Sequence, residues 1–209
     1  MHLVIFGSSG MVGQGALREA LLDPGVTRVT CVVRAPSGRS HPKLREIVHA
    51  DLLDLSGLDL ACDACFFAVG VSSAGLSEEA YRKVTYDTAM VAARAVLSPS
   101  TTFIFVSGRG ADRDVMWARV KRQAERDLQR LRFKAVHVFR PAFIRPLHGI
   151  RSRTRLYNVL YALLWPLTYL VPSSVKTTTE RIGHAMLNVA RRGFDKVILE
   201  SDDINRAAA

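Results

Sequence analysis

The chain begins with an apolar run that leads directly into a glycine-rich loop. Residues 3–13 read Leu-Val-Ile-Phe-Gly-Ser-Ser-Gly-Met-Val-Gly, and a helical pattern covers residues 11–22. A strand, a tight loop and a helix in this order bring backbone close to a pyrophosphate and direct the positive end of the helix at the phosphates. The residues predicted to hold such a group are Gly7, Ser8, Ser9, Gly10, Met11, Val12 and Gly13. Taken alone, the motif could equally be an ordinary glycine-rich turn.

The end of the second predicted strand indicates which dinucleotide would bind. This strand covers residues 29–33 and is followed by Arg34, about 20 residues beyond the glycine loop, where an acidic residue would bind the 2′-hydroxyl of NAD. An arginine at this position suits the 2′-phosphate of NADP instead, and Arg39 could be a second ligand of that phosphate. The sequence therefore predicts NADP and makes NAD less favoured, although Arg34 could also be a solvated residue at a strand end.

Apolar strands alternate with amphipathic helices along most of the chain. Strand-like runs cover residues 3–6, 29–33, 46–49, 65–69, 102–106, 136–139 and 197–199, and helical patterns cover residues 11–22, 78–97, 115–131 and 179–190. This alternation predicts an α/β fold, a doubly wound parallel sheet built from right-handed crossovers. A length of 209 residues suits a single domain, with residues 143–190 expected to form a small substrate-side lid.

Ligands of doubly wound sheets bind beyond the carboxyl ends of the strands, so the residues after each strand are site candidates. Asp51 could accept a hydrogen bond from an adenine amino group, or it could cap a helix. Gly70 could let backbone pass a ribose, or it could form a simple turn. The candidates after the later strands are Leu52, Val69, Ser107, Arg140, Pro141, Ala142 and Phe143.

Together these motifs resemble the short-chain dehydrogenase/reductase superfamily. The residues that carry the likeness are the glycine loop, Asp51-Leu52, residues 67–70, residues 105–107, Lys121 and Arg140-Pro141. Arg140-Pro141 and residues 179–185 look like its extended and atypical, epimerase-like branches. Residues 107–112, 120–121 and 139–141 carry a closer likeness to NmrA-like and Tat-interacting-oxidoreductase-like NADP binders. The resemblance covers nearly the whole chain. It implies a Rossmann fold and an NADP cofactor, and it says little about the substrate.

The resemblance also implies a set of catalytic residues, and one of them is replaced. The family uses a serine that orients the substrate carbonyl, a tyrosine that transfers a proton, and a lysine four residues later that lowers the pKa of the tyrosine and binds the nicotinamide ribose. Ser107 and Lys121 match the serine and the lysine, but the tyrosine position holds Trp117. An indole N–H can donate a hydrogen bond but is not an acid or base near neutral pH.

Two functions therefore stay open at this point. The first is an NADP-dependent oxidoreductase that acts on a small carbonyl or alcohol with a degenerate active site. The second is an inactive NADP-loaded module with a binding, regulatory or redox-sensing role. Another tyrosine could replace the missing hydroxyl, and the candidates are Tyr81, Tyr86, Tyr157, Tyr161 and Tyr169.

The formal net charge of +10 suits phosphate-bearing ligands, an anionic membrane or nucleic acid. Nucleic acid is disfavoured because the chain has no recognisable nucleic-acid-binding motif. Residues 156–171 are almost wholly apolar and follow Arg151, Arg153 and Arg155. This segment is short for a membrane span and contains Pro166. It could be an interfacial helix on an anionic membrane surface, but a lid or a homodimer face is favoured.

The cysteine pattern favours buried thiols over a reactive site. The chain has three cysteines, Cys31, Cys62 and Cys65. The pair Cys62-x-x-Cys65 could be a redox pair or half of a metal site, but no second pair and no matching histidine cluster is apparent in the sequence. We therefore expect no metal site and a reducing, cytoplasmic location. The first residues do not resemble a signal peptide, because their apolar run has only the length of a strand.

Overall fold

The computed structural model describes residues 1–150, 172 and 175–209, and its centre is a parallel sheet. The strands are β1 (His2–Phe6), β2 (Arg28–Val33), β3 (Leu44–Val48), β4 (Ala64–Phe67), β5 (Thr102–Val106), β6 (Ala135–Arg140), β7 (Phe143–Arg145), β8 (Lys176–Thr178) and β9 (Ile198–Glu200). Seven of them form one sheet in the order β3-β2-β1-β4-β5-β6-β9, and β7 pairs with β8 in a small second sheet. The predicted α/β fold with a doubly wound parallel sheet is confirmed.

Helices cover both faces of the large sheet because the strand order reverses direction at β1. They are α1 (Met11–Leu22), α2 (Glu78–Arg82), α3 (Thr88–Ala95), α4 (Met116–Gln129), α5 (Thr179–Arg192) and α6 (Ser201–Ala207). Alternate residues of β1 point to opposite faces. Leu3 and Ile5 pack in a core with α1 and α5, whereas Val4 and Phe6 pack in a second core with α3 and α4.

The helix predicted over residues 78–97 is interrupted by a π-helical turn over Lys83–Asp87. In this turn the amide of Thr88 donates to the carbonyl of Lys83, five residues earlier. The hydroxyl of Thr88 also donates to the carbonyl of Val84. Tyr86 fixes the turn against α4, since its hydroxyl donates to Asp127 at 2.8 Å. Such turns are frequent at functional sites.

The C-terminal part of the predicted lid belongs to the core. Helix α5 packs along α1 and buries Ile182, Ala185 and Met186 against the sheet. Its apolar positions thus face the core of the domain, and the lid expected over residues 143–190 stays a prediction. The sequence analysis also missed the β7–β8 pair and helix α6.

The apolar segment over residues 156–171 and the arginines before it lie outside the described residues. Among the helices that are described, none is long and apolar enough to cross a membrane. The proposed interfacial, lid and dimer roles of that segment stay predictions.

Gly13 sets how closely α1 approaches the loop after β1. A Cβ built on Gly13 would lie 2.1 Å from the carbonyl oxygen of Gly7, a backbone atom that cannot rotate away. Gly7 itself has a φ of +81°, and a Cβ there would lie 2.6 Å from the backbone of Ala68. Gly10 differs, because its Cβ would lie 3.3 Å from the nearest atom, the Gly7 oxygen.

These distances predict different stabilities for two alanine variants. Gly13→Ala should lower the free energy of unfolding by about 1–3 kcal/mol or more, the usual range for overpacking. Gly10→Ala, the matched control, should lower it by less than about 1 kcal/mol, since it changes only an N-cap. Chemical denaturation of both variants measures the difference. Equal stability of the two would contradict the close approach of α1 to the loop.

Candidate functional site

A cavity of about 310 Å³ opens at the carboxyl edge of the sheet, between the ends of β2 and β4. Here the strand order reverses direction, and doubly wound sheets bind ligands at such a point. The sequence-predicted residues that line the cavity are Gly7, Ser8, Ser9, Gly10, Arg34, Asp51, Leu52, Val69 and Gly70. The fold therefore brings the loops after β1, β2, β3 and β4 to one place.

The N-terminus of α1 provides an unneutralised positive end at this cavity. Gly10 is the N-cap, no side chain caps the helix, and the first turn carries no acidic residue. The first intrahelical bond runs from the amide of Gln14 to the carbonyl of Gly10, at 2.8 Å. The amides of Met11, Val12 and Gly13 thus belong to the first turn, which has no intrahelical acceptors. Met11, Val12 and Gly13 do not line the cavity themselves, so their role is in the helix end and its packing.

Two arginines mark one side of the cavity. Arg34 is exposed and lines both the cavity and an adjoining cleft, and Arg39 and Ser9 line the same cleft. One carboxylate, Glu46, also lines the cleft, and one of its oxygens accepts from the amide of Ser37 at 3.0 Å. Two residues with guanidinium groups thus line one cleft next to the glycine loop, and such groups are strong ligands of anions.

Asp51 stabilises a turn rather than a helix end, and its expected role at an adenine stays a prediction. One of its carboxylate oxygens accepts from the amide of Leu53 at 2.8 Å, which is a turn contact. The side chain is nevertheless exposed, and the residue lines the cavity. A carboxylate has two acceptor oxygens, so the turn contact leaves acceptor capacity for an adenine amino group.

The opposite wall of the cavity includes residues that the sequence analysis missed. Lys83, Val84 and Thr88 line it, and they come from the π-helical turn and the start of α3. Lys83 adds a cation to the wall of the cavity opposite Arg34. The sequence showed only a continuous helical pattern, and no residue in it signals the wider turn. The signal that the sequence offered was Lys83 itself, a lysine in the helical region that follows β4.

A buried carboxylate joins the ends of two strands to α4. Glu125 is 2% exposed, and its carboxylate accepts a hydrogen bond from the hydroxyl of Ser107, which follows β5. The same carboxylate accepts from Arg140 at the end of β6, with 3.0 Å between the guanidinium Nε and one oxygen. Glu125 was not predicted as a site residue. It lies four residues after Lys121, and this spacing was the available signal.

This contact changes the expected role of Ser107. An ionised carboxylate is a strong acceptor, and the proton of the Ser107 hydroxyl is directed at it rather than at a substrate carbonyl. The serine oxygen keeps its lone pairs and can accept a hydrogen bond. While the bond to Glu125 holds, Ser107 suits an alcohol donor better than a carbonyl acceptor.

Trp117 and Lys121 flank the loop after β5. A Cβ on Gly110 would lie 3.6 Å from the Trp117 ring, and a Cβ on Gly108 would lie 4.0 Å from the Lys121 ammonium. Trp117, Lys121 and Glu125 recur every four residues, so they lie along one face of α4. Burial lowers the pKa of Lys121 to about 8, and the charge of Glu125 acts in the opposite direction.

The two tyrosines of the described residues have other roles. Tyr86 donates its hydroxyl to Asp127, and burial together with this carboxylate raises its pKa. Tyr81 is buried, which also raises its pKa. A raised pKa makes a phenol a weaker acid, so neither replaces the missing tyrosine in this arrangement. Tyr157, Tyr161 and Tyr169 lie outside the described residues.

The predicted residues after β6 do not line the cavity. The amide of Ala142 donates to the hydroxyl of Ser201 at 3.0 Å, and the carbonyl of Pro141 accepts from the amide of Arg109. Phe143 begins β7 and pairs with Lys176. These contacts tie the segment to α6 and β8, so a cofactor role for Pro141, Ala142 and Phe143 remains a prediction.

The cysteines of the described residues are free thiols in apolar surroundings. Burial raises the pKa of Cys31 to about 11 and that of Cys62 to about 12. Burial also raises the pKa of Cys65. Protonated thiols are poor nucleophiles and poor metal ligands. Cys31 and Cys65 are buried as expected, Cys62 is half-buried, and the inertness of the three thiols stays a prediction.

No model of a known protein family matches the sequence. Two curated fungal proteins are similar to it. The mitochondrial protein fmp52-1 of Aspergillus oryzae is 32% identical over 155 residues, which cover 68% of this chain and 66% of that protein. The mitochondrial protein fmp52 of Emericella nidulans is 28% identical over 156 residues, with the same coverage of both chains. The chain thus matches 66% of the length of these relatives.

Solved structures resemble the fold over almost the whole chain. An oxidoreductase of the short-chain dehydrogenase/reductase family from Burkholderia thailandensis has a TM-score of 0.69 at 16% identity, covering 99% of this chain and 92% of that one. The chain has the fold of the short-chain dehydrogenase/reductases. Similarity to NmrA-like proteins in particular stays a prediction from the sequence.

Two further solved structures with this fold contain dinucleotides. A human epimerase family protein with NADPH has a TM-score of 0.67 at 18% identity, covering 96% of this chain and 73% of that one. A Bordetella bronchiseptica enzyme in complex with NAD⁺ has a TM-score of 0.66 at 16% identity, covering 95% and 74%. The fold itself therefore accommodates both forms of the dinucleotide, and the choice depends on the residues of the cavity.

Proposed function

We propose that this chain binds NADP(H) in the cavity at the carboxyl edge of the sheet. The observation that carries the proposal is the position of Arg34 and Arg39 in one cleft next to the glycine loop. NADP differs from NAD by a 2′-phosphate, and a pair of guanidinium groups is the usual ligand for such a phosphate. An acidic residue in the position of Arg34 would have favoured NAD.

The residues of the cavity fit a dinucleotide in shape as well as in charge. The uncapped N-terminus of α1 and the space over Gly10 suit a pyrophosphate. Asp51, Leu52 and Val69 offer a polar acceptor and apolar surface for an adenine. Lys83 is near enough to the cavity to add a cation to the phosphate side. We assign Lys121 to the nicotinamide ribose, because its ammonium lies over the loop after β5.

The finer activity that we propose is oxidoreduction of a small carbonyl or alcohol, with a degenerate active site. NADP(H), when bound, accepts or supplies a hydride. The residues of the chain would bind and orient it, and Lys121, with a pKa of about 8, would carry a proton at neutral pH. Trp117 forms a wall where a proton donor is expected, so the unmodified protein should turn over slowly.

The alternative is an NADP-loaded binding or regulatory module without turnover. Two observations favour it: Trp117 cannot transfer a proton, and Ser107 directs its hydroxyl at Glu125. Both proposals share the same cofactor site. They differ only in whether a substrate reacts, so cofactor binding and carbonyl reduction need separate experiments.

The location of the protein is a separate proposal. The similar fungal proteins are named mitochondrial, whereas the sequence analysis favoured the cytoplasm with a possible peripheral membrane association. We keep the cytoplasmic location as a prediction, since the cysteines that suggested a reducing compartment are free thiols.

The cofactor preference is predicted to depend on Arg34. The unmodified chain should bind NADPH more tightly than NADH, and Arg34→Asp should weaken NADPH binding more than tenfold while sparing NADH. The reason is that a charge-assisted hydrogen bond contributes about 1.5–3 kcal/mol, and the new carboxylate repels the phosphate. Calorimetric titration of both cofactors measures the change.

The matched control for this variant is Arg132→Asp, which makes the same charge change at an exposed position outside the cavity and the cleft. It should leave both affinities nearly unchanged, because exposed charges at a distance are screened by salt. Equal affinity of the unmodified protein for NADPH and NADH would refute the proposed 2′-phosphate site.

The degenerate active site predicts a gain of activity in Trp117→Tyr. The substitution places a phenol one helical turn from Lys121, and a general acid typically contributes about 10²–10⁴-fold in rate. Carbonyl reduction, followed by the absorbance of NADPH over a panel of small aldehydes and ketones, should rise by that order. The gain should diminish above about pH 8, where Lys121 loses its proton.

Trp117→Phe is the control, since it makes a similar change of volume without a hydroxyl. If the unmodified protein already reduces carbonyls rapidly and neither substitution changes the rate, another group supplies the proton. The degenerate-site proposal would then be wrong, while the cofactor site would stand.

A further inference from the structure

Histidines and carboxylates from three elements meet on the face of the sheet that α1 and α5 cover. Glu19 comes from α1, His148 from the loop after β7, and Glu180 and His184 from α5. Glu180 and His184 are four residues apart, so they share one face of α5. The sequence separates these residues widely, and only the fold brings them together.

The packing of α1 on α5 holds Glu19 in place. Glu19 is 4% exposed, and its side chain lies directly over Gly183, where a Cβ would be 2.6 Å from the Glu19 Cγ. Gly15 allows the same close approach, because its Cβ would lie 2.5 Å from the carbonyl of Thr179. The carboxylate at the centre of the cluster is therefore buried and rigidly positioned, whereas His148, Glu180 and His184 reach solvent.

Three of the potential donor atoms are close enough to share one cation after side-chain rotation, and His184 adjoins them through Glu19. Single ligand atoms of Glu19, His148 and Glu180 all lie within 4.8 Å of one another. His148 Nε2 contacts a carboxylate oxygen of Glu180, and His184 Nε2 lies 3.0 Å from Oε2 of Glu19. Tetrahedral zinc with bonds of about 2.0–2.2 Å separates its ligand atoms by roughly 3.3 Å. Small side-chain rotations would therefore suffice.

The charges around the cluster are compatible with a divalent cation. Glu19 and Glu180 supply two carboxylates, and His148 and His184 supply two imidazoles. Arg18 contacts Oε1 of Glu19, which leaves Oε2 on the side of His184. A cation on Oε2 would thus keep Arg18 as an outer hydrogen-bond donor that orients the carboxylate.

The backbone of His148 gives an independent sign of constraint. Its φ is +56°, and among the described residues it is the only non-glycine with a positive φ. The loop around it is anchored, since the amide of Leu147 donates to the hydroxyl of Thr179 at 3.1 Å. Strained conformations persist where the surroundings fix them and cluster at functional sites.

We propose that Glu19, His148, Glu180 and His184 form a Zn²⁺ site that fastens the loop after β7 to α1 and α5. Two imidazoles and two carboxylates are suitable ligands for this ion, and four protein ligands are typical of a structural site. The site would fix the loop over residues 146–150 against α1 and α5. It does not depend on the proposed cofactor function, and it replaces the expectation from the sequence that the chain has no metal site.

The proposal predicts stoichiometric zinc binding that depends on exposed residues of the cluster. The full chain, freed of any histidine tag and of bound metal, should bind one equivalent of Zn²⁺ in calorimetry, and saturating Zn²⁺ should raise its melting temperature. His148→Ala and Glu180→Gln should each weaken the binding by about tenfold or more and reduce the thermal shift measured at the same Zn²⁺ concentration. Both residues are exposed, so these variants should still fold and bind NADPH.

The matched controls are His41→Ala, in the loop before β3, and Glu79→Gln, on α2. They remove the same kinds of side chain away from the cluster. They should bind Zn²⁺ as the unmodified chain does. Equal zinc affinity in the cluster variants and the unmodified chain would overturn the proposal, as would equal losses in cluster and control variants. Folding of the variants is checked by circular dichroism, so that a loss of zinc binding is not confused with unfolding.

Discussion

The contact between Gly13 and the Gly7 carbonyl is the constraint on which the cofactor cleft depends. No side chain fits between these residues, so α1 begins directly beneath the end of β1. This close approach of α1 to β1 brings the first turn of α1, whose amides have no intrahelical acceptors, next to the cavity. The same approach orients α1 along the sheet, where Gly15 and Gly183 let α5 pack closely against it. A few glycines thus place both the proposed pyrophosphate site and the proposed zinc ligands.

Electrostatics then divides the carboxyl edge of the sheet into two regions. On one side, Arg34 and Lys83 line the cavity and Arg39 lines the adjoining cleft, against the carboxylates of Asp51 and Glu46, and this excess of cations suits phosphates. On the other side, Glu125 neutralises Arg140 and occupies the hydroxyl of Ser107. The first region keeps cations that are available to a ligand. The second is occupied by contacts within the protein, and this agrees with the proposal that the chain binds a dinucleotide but reacts slowly.

The sequence predicted those features that depend on local patterns. The strand periodicity gave the elements of the large sheet, and the loop from Gly7 to Gly13 and the cation at Arg34 marked the edge where the cavity lies. The rest depends on tertiary contacts. The π-helical turn that presents Lys83 follows from the fit of Tyr86 against α4, and the partner of Ser107 is Glu125, 18 residues later in the sequence. Glu19 and His148 meet only because α1, α5 and the loop after β7 pack together.

The central claim is that NADP(H) lies between the loops after β1, β2 and β4, and hydrogen–deuterium exchange with and without NADPH tests it most directly. The account predicts slower exchange on NADPH addition in peptides that cover residues 7–13, 34–39 and 83–88. Peptides over residues 124–131, in the buried part of α4, should not change. Protection confined to other parts of the chain, or no protection at saturating NADPH, would contradict the account.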